Sequence, residues 1–222
     1  MQFNEIIFKE FKPLFKNRGF EEAKYFEHYG ALDYYINTKE SIHWVRLAFS
    51  LNNNAFVQVN SFISFPAVLD ILKRFIDIKT DFIEEVVKNY YIKSEWSSLM
   101  ENLCKLPLKP QAEKDVFKNS LLQHVDEYIL PFFERIPSLQ AVNDEILNKV
   151  QEDEYANYIP GQTNFKVLIV MKLCGNPKYE GFKNWALEAY KKGAEMNPGR
   201  YGSDYKTLQS LVKYLDSEQY KT

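Results

Sequence analysis

Few of the side chains that could do chemistry occur in a recognisable pattern. Three histidines are present, His28, His43 and His124, too few for a metal site without help from carboxylates or thiolates. Glu127 follows His124 by three residues and could share a helix face with it, but the fixed sequence of a metalloprotease helix is missing. The sequence also contains no phosphate loop and no nucleophile elbow. We therefore predict no metal ion, no cofactor and no catalytic residue.

The candidate binding site is a patch on two neighbouring predicted strands. Trp44 and Arg46 are two residues apart, as are Gln58 and Asn60, so each pair lies on one face of its strand. An arginine, a tryptophan and two amides could together hold an anionic or peptide ligand. The alternative is that later helices cover this face and that Arg46 pairs with a carboxylate such as Asp33.

Four segments rich in aromatic and β-branched residues are predicted to form the strands that carry this patch. They are residues 20–29, 31–38, 41–51 and 55–65. Short turns separate them, which predicts an antiparallel meander of four strands. The alternation places His43 and Val45 on one face of the third strand and Val57 and Val59 on one face of the fourth. These faces are mainly apolar and are predicted to face the first helix.

Helices are predicted before and after the meander in the sequence. Residues 2–18 read as an amphipathic helix that is interrupted by Pro13 and stopped by Gly19 as a left-handed cap. Pro66 opens a second helix, and Asp81 with Glu84 could cap a short one over 82–88. Further helical stripes cover 111–135, 138–151, 164–175, 179–196 and 203–217, with a turn at 197–202.

The predicted fold class is therefore α+β, with an N-terminal helix packed on a four-stranded antiparallel meander and a mostly α-helical C-terminal half. Two prolines, Pro107 and Pro110, break regular structure and stiffen a connector. They divide the chain into an α+β module, 1–106, and a helical module, 107–222. We expect the two modules to pack together as one globular unit.

Composition excludes several classes of function. The 222 residues are 45% hydrophobic and 16% aromatic with a net charge of −2, which suits a folded core and gives no basic excess for nucleic acid. No polybasic run would hold an anionic membrane surface, and no apolar stretch is long enough to cross a bilayer. The charged N-terminus is unlike a secretion signal, so we expect a cytoplasmic protein. Cys104 and Cys174 are predicted to be buried free thiols.

A short motif in the first 75 residues carries a family resemblance. A helix with a proline before its last turn ends at the pair Gly19–Phe20, and aromatic strands follow. In this the chain resembles an uncharacterised bacterial family of unknown function. The resemblance implies the fold of the N-terminal half and no activity. Bacterial α+β proteins of similar size include immunity proteins that neutralise toxins, an analogy of size and class.

Two hypotheses for function follow. The first is a non-enzymatic binding or regulatory protein that recognises a protein partner through the sheet face and the helical half, in the manner of an immunity protein. The second is an enzyme whose dispersed catalytic residues line a pocket between sheet and helices, with Arg46, His43 and Asp33 as candidates. Neither nucleic acid nor a membrane is expected as a partner.

Overall fold

The computed structural model describes residues 3–50, 56–78, 84–90 and 111–221. These residues have the predicted α+β fold, in which an N-terminal helix and a five-stranded antiparallel sheet precede a mostly helical C-terminal half. Two compact units make up the chain: Met1–Ile63 with Lys88–Pro137, and Ser64–Val87 with Ser138–Thr222. The predicted boundary at Pro107–Pro110 lies outside the described residues.

The first helix, α1 (Phe3–Lys16), ends as its sequence predicts. Gly19 has a φ of +86°, a left-handed conformation that costs glycine little because it has no Cβ. The amide of Phe20 donates to the carbonyl of Phe15 (3.2 Å) and the amide of Gly19 donates to that of Lys16 (3.1 Å). The rings of Phe15 and Phe20 also meet edge to face, with centroids 5.1 Å apart. This is the Schellman motif with its hydrophobic contact.

The sheet is a meander in which each strand lies beside the next. Its strands are β1 (Glu22–Phe26), β2 (Ala31–Asn37), β3 (Ile42–Phe49), β4 (Phe56–Ser64) and β5 (Val87–Lys88). The first four confirm the predicted meander. The fifth was missed, and the helix predicted over 82–88 is wrong at its end, because the buried, β-branched Val87 fits a strand. Residues 79–83 lie outside the described part of the chain.

One face of the sheet packs on α1 as predicted. The ring of Phe15 stacks on that of Tyr34 with centroids 4.0 Å apart, and Tyr34 is paired with Val45 of β3. The prediction for Val57 is wrong, because its side chain is 47% exposed while Phe56 is buried against Phe49. The inward alternation therefore slips by one residue near the start of β4, which is the effect of a β-bulge.

The remaining regular structure is helical. The helices are α2 (Pro66–Leu72), α3 (Gln111–His124), α4 (Leu130–Arg135), α5 (Leu139–Val142), α6 (Tyr155–Tyr158), α7 (Thr163–Leu173), α8 (Tyr179–Met196) and α9 (Pro198–Asp216). π-helical turns at Val125–Ile129 and Asn143–Leu147 continue α3 and α5. The first of these precedes Pro131, which has no N–H for the α-helical ladder.

The last two helices form an antiparallel hairpin. Tyr201, at the start of α9, packs on Gly193 at the end of α8, and Asp216 at the far end of α9 bonds Tyr179 at the start of α8. The turn predicted at 197–202 is wrong beyond its first residue, because α9 already begins at Pro198. Asn197 caps it, accepting the amide of Arg200 at 3.2 Å, and proline suits a first helical turn.

Candidate functional site

The arginine of the predicted patch is paired with a buried carboxylate. Register places Arg46 of β3 directly opposite Asp33 of β2. The guanidinium donates twice, from Nε to Oδ1 at 2.8 Å and from Nη2 to Oδ2 at 2.6 Å, and the Tyr35 hydroxyl donates to Oδ2 at 3.0 Å. The Asp33 side chain is fully buried, whereas that of Arg46 is 21% exposed. This bidentate ion pair satisfies the hydrogen-bonding needs of the buried Asp33 carboxylate. The guanidinium charge that was predicted to bind a ligand is therefore already paired.

The other three patch residues differ sharply in their exposure. Trp44 is 1% exposed, and its ring lies 5.3 Å from that of Phe62. The indole Nε1 is buried and finds no hydrogen-bond partner within the described ranges. Asn60 is half-buried and Gln58 is exposed. The four residues therefore do not form one open surface, and a contact role stays a prediction for Gln58 and Asn60.

His43 cannot share a pocket with Arg46 and Asp33. It is paired with Ile36, so it lies on the opposite face of the sheet from the ion pair. There its ring packs on that of Phe133, with the ring centroids 4.8 Å apart, and Nε2 lies 2.8 Å from the Ser41 hydroxyl. Burial lowers the pKa of His43 to about 4, so the ring is neutral at pH 7. His43 is therefore a hydrogen-bonded core histidine.

His124 is also a core residue. It is 1% exposed at the end of α3, with its ring stacked on Tyr128 at 5.2 Å. Burial lowers its pKa to about 4, opposed by the charge of Glu127. The neighbouring Asp126 accepts two hydrogen bonds from Arg18, at 2.6 and 2.7 Å. His28 is exposed.

Metal and thiol chemistry find little support in the described residues. No group of three His, Cys, Asp or Glu side chains there could hold a metal ion. Cys174 is a free thiol that is only partly buried, contrary to prediction, and its Sγ lies 3.5 Å from the carbonyl of Leu139. Burial and the charge of Asp144 raise its pKa to about 11, so it is a poor nucleophile at pH 7. Cys104 lies outside the described part of the chain.

Sequence reasoning missed a buried lysine in the second unit. The Lys166 side chain of α7 is fully buried, and Nζ donates to three oxygens: Glu84 Oε1 at 2.9 Å, the Glu85 carbonyl at 2.6 Å and the Pro160 carbonyl at 2.7 Å. The three N–H donors of the ammonium are matched by these three acceptors, so Lys166 connects the segment at Glu84–Glu85 to Pro160. Its ammonium is therefore not free to react. The signal was a single lysine within the otherwise apolar run Phe165–Met171.

A second missed cluster joins α7, α8 and α9. Asp216 accepts the Tyr179 hydroxyl at 2.9 Å and the Lys183 ammonium at 3.0 Å. Lys172 is 3.9 Å from the same carboxylate and 4.9 Å from the centre of the Tyr179 ring. Burial opposes ionisation of Asp216, but hydrogen bonds from Lys183 and Tyr179 prevail and lower its pKa. The residues come from three helices, so sequence spacing could not bring them together.

The most exposed large apolar side chains of the second unit lie on α8. Trp185 is 51% exposed and Met196 is 86% exposed. The intervals between them follow helical spacing of three and four residues, which makes one continuous face. We call this face the Trp185 stripe; it consists of Trp185, Glu188, Ala189, Lys192 and Met196, all exposed.

The sequence matches no protein-family model, no curated protein and no solved structure. Within the described ranges, every helix is too short or too polar to traverse a bilayer.

Proposed function

We propose that the chain is a non-enzymatic binding protein of the cytoplasm that recognises a protein partner through the Trp185 stripe. The observation that carries the proposal is a tryptophan left half-exposed on the same helix face as an exposed methionine. Large apolar side chains grouped on a surface mark interaction sites. Tryptophan and methionine are enriched at the centres of protein interfaces, where tryptophan often dominates the binding energy.

The orientation of the Trp185 side chain is fixed by packing within its own unit. Its ring packs on that of Phe182, with centroids 5.2 Å apart, and Phe182 is 2% exposed. One edge of the indole is therefore fixed by the core of the unit while the remainder faces solvent. A side chain fixed in this way loses little conformational entropy on binding, which supports its role as an anchor.

The charges within the stripe and next to it favour a protein over other macromolecules. Lys192 lies 3.5 Å from Glu188, and Lys191 lies 3.9 Å from Glu195, so each lysine is balanced by a carboxylate one turn away. A nucleic-acid surface would need a basic excess, and a helix lying on an anionic membrane would need a basic polar face. Balanced charges next to an exposed tryptophan and methionine instead suit a protein interface, which combines apolar and polar contacts.

Photo-crosslinking from the stripe tests the proposal. A photoreactive amino acid at Ala189, which is exposed between Trp185 and Met196, should crosslink in cells to one defined protein. That protein, once purified, should bind the wild-type chain. The matched control places the same group at Tyr29, which is 56% exposed in the other unit, and should give no such product. A crosslink only to a second copy of the chain would contradict the proposal.

The analogy of size and class with immunity proteins supports the same proposal and suggests a toxin as the partner class. A gene for a toxic enzyme beside the gene for this chain would make that toxin the first protein to test. The enzyme hypothesis loses its proposed pocket, because His43 lies across the sheet from Arg46 and Asp33.

A further inference from the structure

A cleft of about 440 Å³ opens in the second unit, apart from the Trp185 stripe. Its walls are the end of α7, the loop that follows, the first turn of α8 and the C-terminal turn after α9. The residues that the argument uses are Leu173, Pro177, Lys172, Glu180, Glu218 and Tyr220. This volume lies within the range of sites for small molecules.

The acidic side chains at the cleft already have partners. Glu180 accepts from Lys183 at 2.7 Å, and Glu218 accepts from Lys221 at 2.9 Å. Asp216, just behind the wall, accepts from Tyr179 and Lys183. A cation entering the cleft would therefore have to displace existing ion pairs, which disfavours a cationic ligand.

Of the two described lysines that line the cleft, Lys221 is paired with Glu218 at 2.9 Å, whereas Lys172 has no carboxylate oxygen within hydrogen-bond distance. Its ammonium has three donors, yet its nearest carboxylate oxygen is Asp216 Oδ1 at 3.9 Å, beyond hydrogen-bond range. It also lies over the face of the Tyr179 ring, with Nζ 4.9 Å from the ring centre. The side chain is 20% exposed and lines the cleft, so the ammonium is accessible to a ligand there. A charge-assisted hydrogen bond to an anion would satisfy it.

We propose that this cleft binds a small monocarboxylate with an apolar or aromatic body, whose carboxylate is held by Lys172. The body would lie against Leu173, Pro177 and Tyr220, which line the same cleft. A single negative charge is preferred because one lining lysine, Lys172, is available to it, whereas Lys221 is already paired with Glu218.

Calorimetric titration with benzoate tests the site. Wild-type protein should bind benzoate with a dissociation constant of about 1 mM or tighter. Lys172→Met keeps most of the side-chain volume and should weaken binding by about tenfold or more, since it removes a charge-assisted bond. Lys149→Met makes the same change of charge at an exposed lysine outside the cleft and should bind like the wild type. Inorganic phosphate should not displace benzoate.

Several results would overturn the proposal: no benzoate binding by the wild type, equal binding by Lys172→Met, or displacement of benzoate by phosphate. If Lys172→Met fails to fold, benzoate binding by the variant Glu218→Gln tests the site instead. This variant removes a carboxylate near the ammonium and should tighten benzoate binding by about two- to threefold. Unchanged or weaker binding by Glu218→Gln would then refute the site.

Discussion

At the scale of the residue, the ion pair of Asp33 and Arg46 is a structural element of the sheet. Arg46→Met should lower the free energy of unfolding by about 3 kcal/mol, because it strands a carboxylate that is fully buried. Urea denaturation measures the change. Lys149→Met removes an exposed pair with Glu145, of which the lysine is 62% exposed, and should change stability by less than about 0.5 kcal/mol. Equal effects of the two substitutions would show that Asp33 is adequately solvated without Arg46.

The same ion pair changes how the sheet face should be probed. Substituting Trp44 or Arg46 would disturb the fold itself, because one is buried and the other balances a buried charge. If such variants failed to capture a partner, the loss could come from the disturbed fold and would not show that Trp44 or Arg46 contacts the partner. Gln58 is exposed, and its replacement by alanine tests the face without this ambiguity.

The two buried histidines make stability depend on pH. Both have a pKa of about 4 in the folded protein, below the value of about 6.5 in an unfolded chain. As the pH falls through this window, the unfolded state binds protons first, so stability is full above about 6.5 and declines down to 4. Between pH 7.5 and 5 we expect a loss of roughly 2 kcal/mol for each histidine.

Urea denaturation of His43→Gln and His124→Gln at both pH values measures that loss. Each variant should show a smaller drop in stability from pH 7.5 to 5 than the wild type, because glutamine does not titrate. Carboxylates titrate in all three proteins, so the difference between them isolates the imidazoles. The same drop in all three would mean that these rings keep an ordinary pKa in the fold.

At the scale of the element, the end of α1 offers a test of backbone conformation alone. Gly19→Ala should destabilise the protein by about 1 kcal/mol, because φ is +86° and a new Cβ would meet no atom within 4 Å. Gly181→Ala, in the first turn of α8, also meets no atom and should stabilise by about 0.5–1 kcal/mol. Thermal unfolding should thus shift in opposite directions. A shift in the same direction for both would contradict the Schellman cap.

The start of β4 shows where strand alternation fails as a predictor. Phe56→Ala should cost about 3–4 kcal/mol, because the ring packs on Phe49 and Phe117. Val57→Ala should cost less than about 0.5 kcal/mol, because Val57 is half-exposed. Chemical denaturation of the two variants distinguishes this register from the strict alternation read from the sequence, for which the costs would be reversed.

That failure has a physical cause. Phe56 and Val57 are both apolar and both favour strands, so periodicity alone cannot say which of them faces inward. The choice depends on a local slip that the long-range contact of Phe56 with Phe117 of α3 stabilises. By contrast, the cap at Gly19 was predictable because glycine next to a core aromatic is a local signal. The helix at 179–196 was predicted with its exact bounds because its stripe is long and uninterrupted.

At the scale of the whole molecule, the sequence predicted the fold better than the site. The order of elements follows from local patterns, which is why the α+β class and the meander are confirmed. The cluster of Tyr179, Lys183 and Asp216 depends on how two helices pack together. The spacing of these residues along the chain therefore does not predict the cluster. The Trp185 stripe is not evident from the sequence, because Trp185 follows the buried Phe182 by three residues and helical spacing places both on one face. The structure shows Trp185 half-exposed.

The affinity of the chain for its crosslinked partner, measured by calorimetry with purified proteins, tests the central claim most directly. Trp185→Ala should weaken binding by about thirtyfold or more, as expected for a central aromatic anchor worth at least 2 kcal/mol. Tyr29→Ala removes an aromatic of similar exposure in the other unit and should bind like the wild type. Wild-type affinity in a folded Trp185→Ala variant would contradict the claim that the Trp185 stripe is the binding surface.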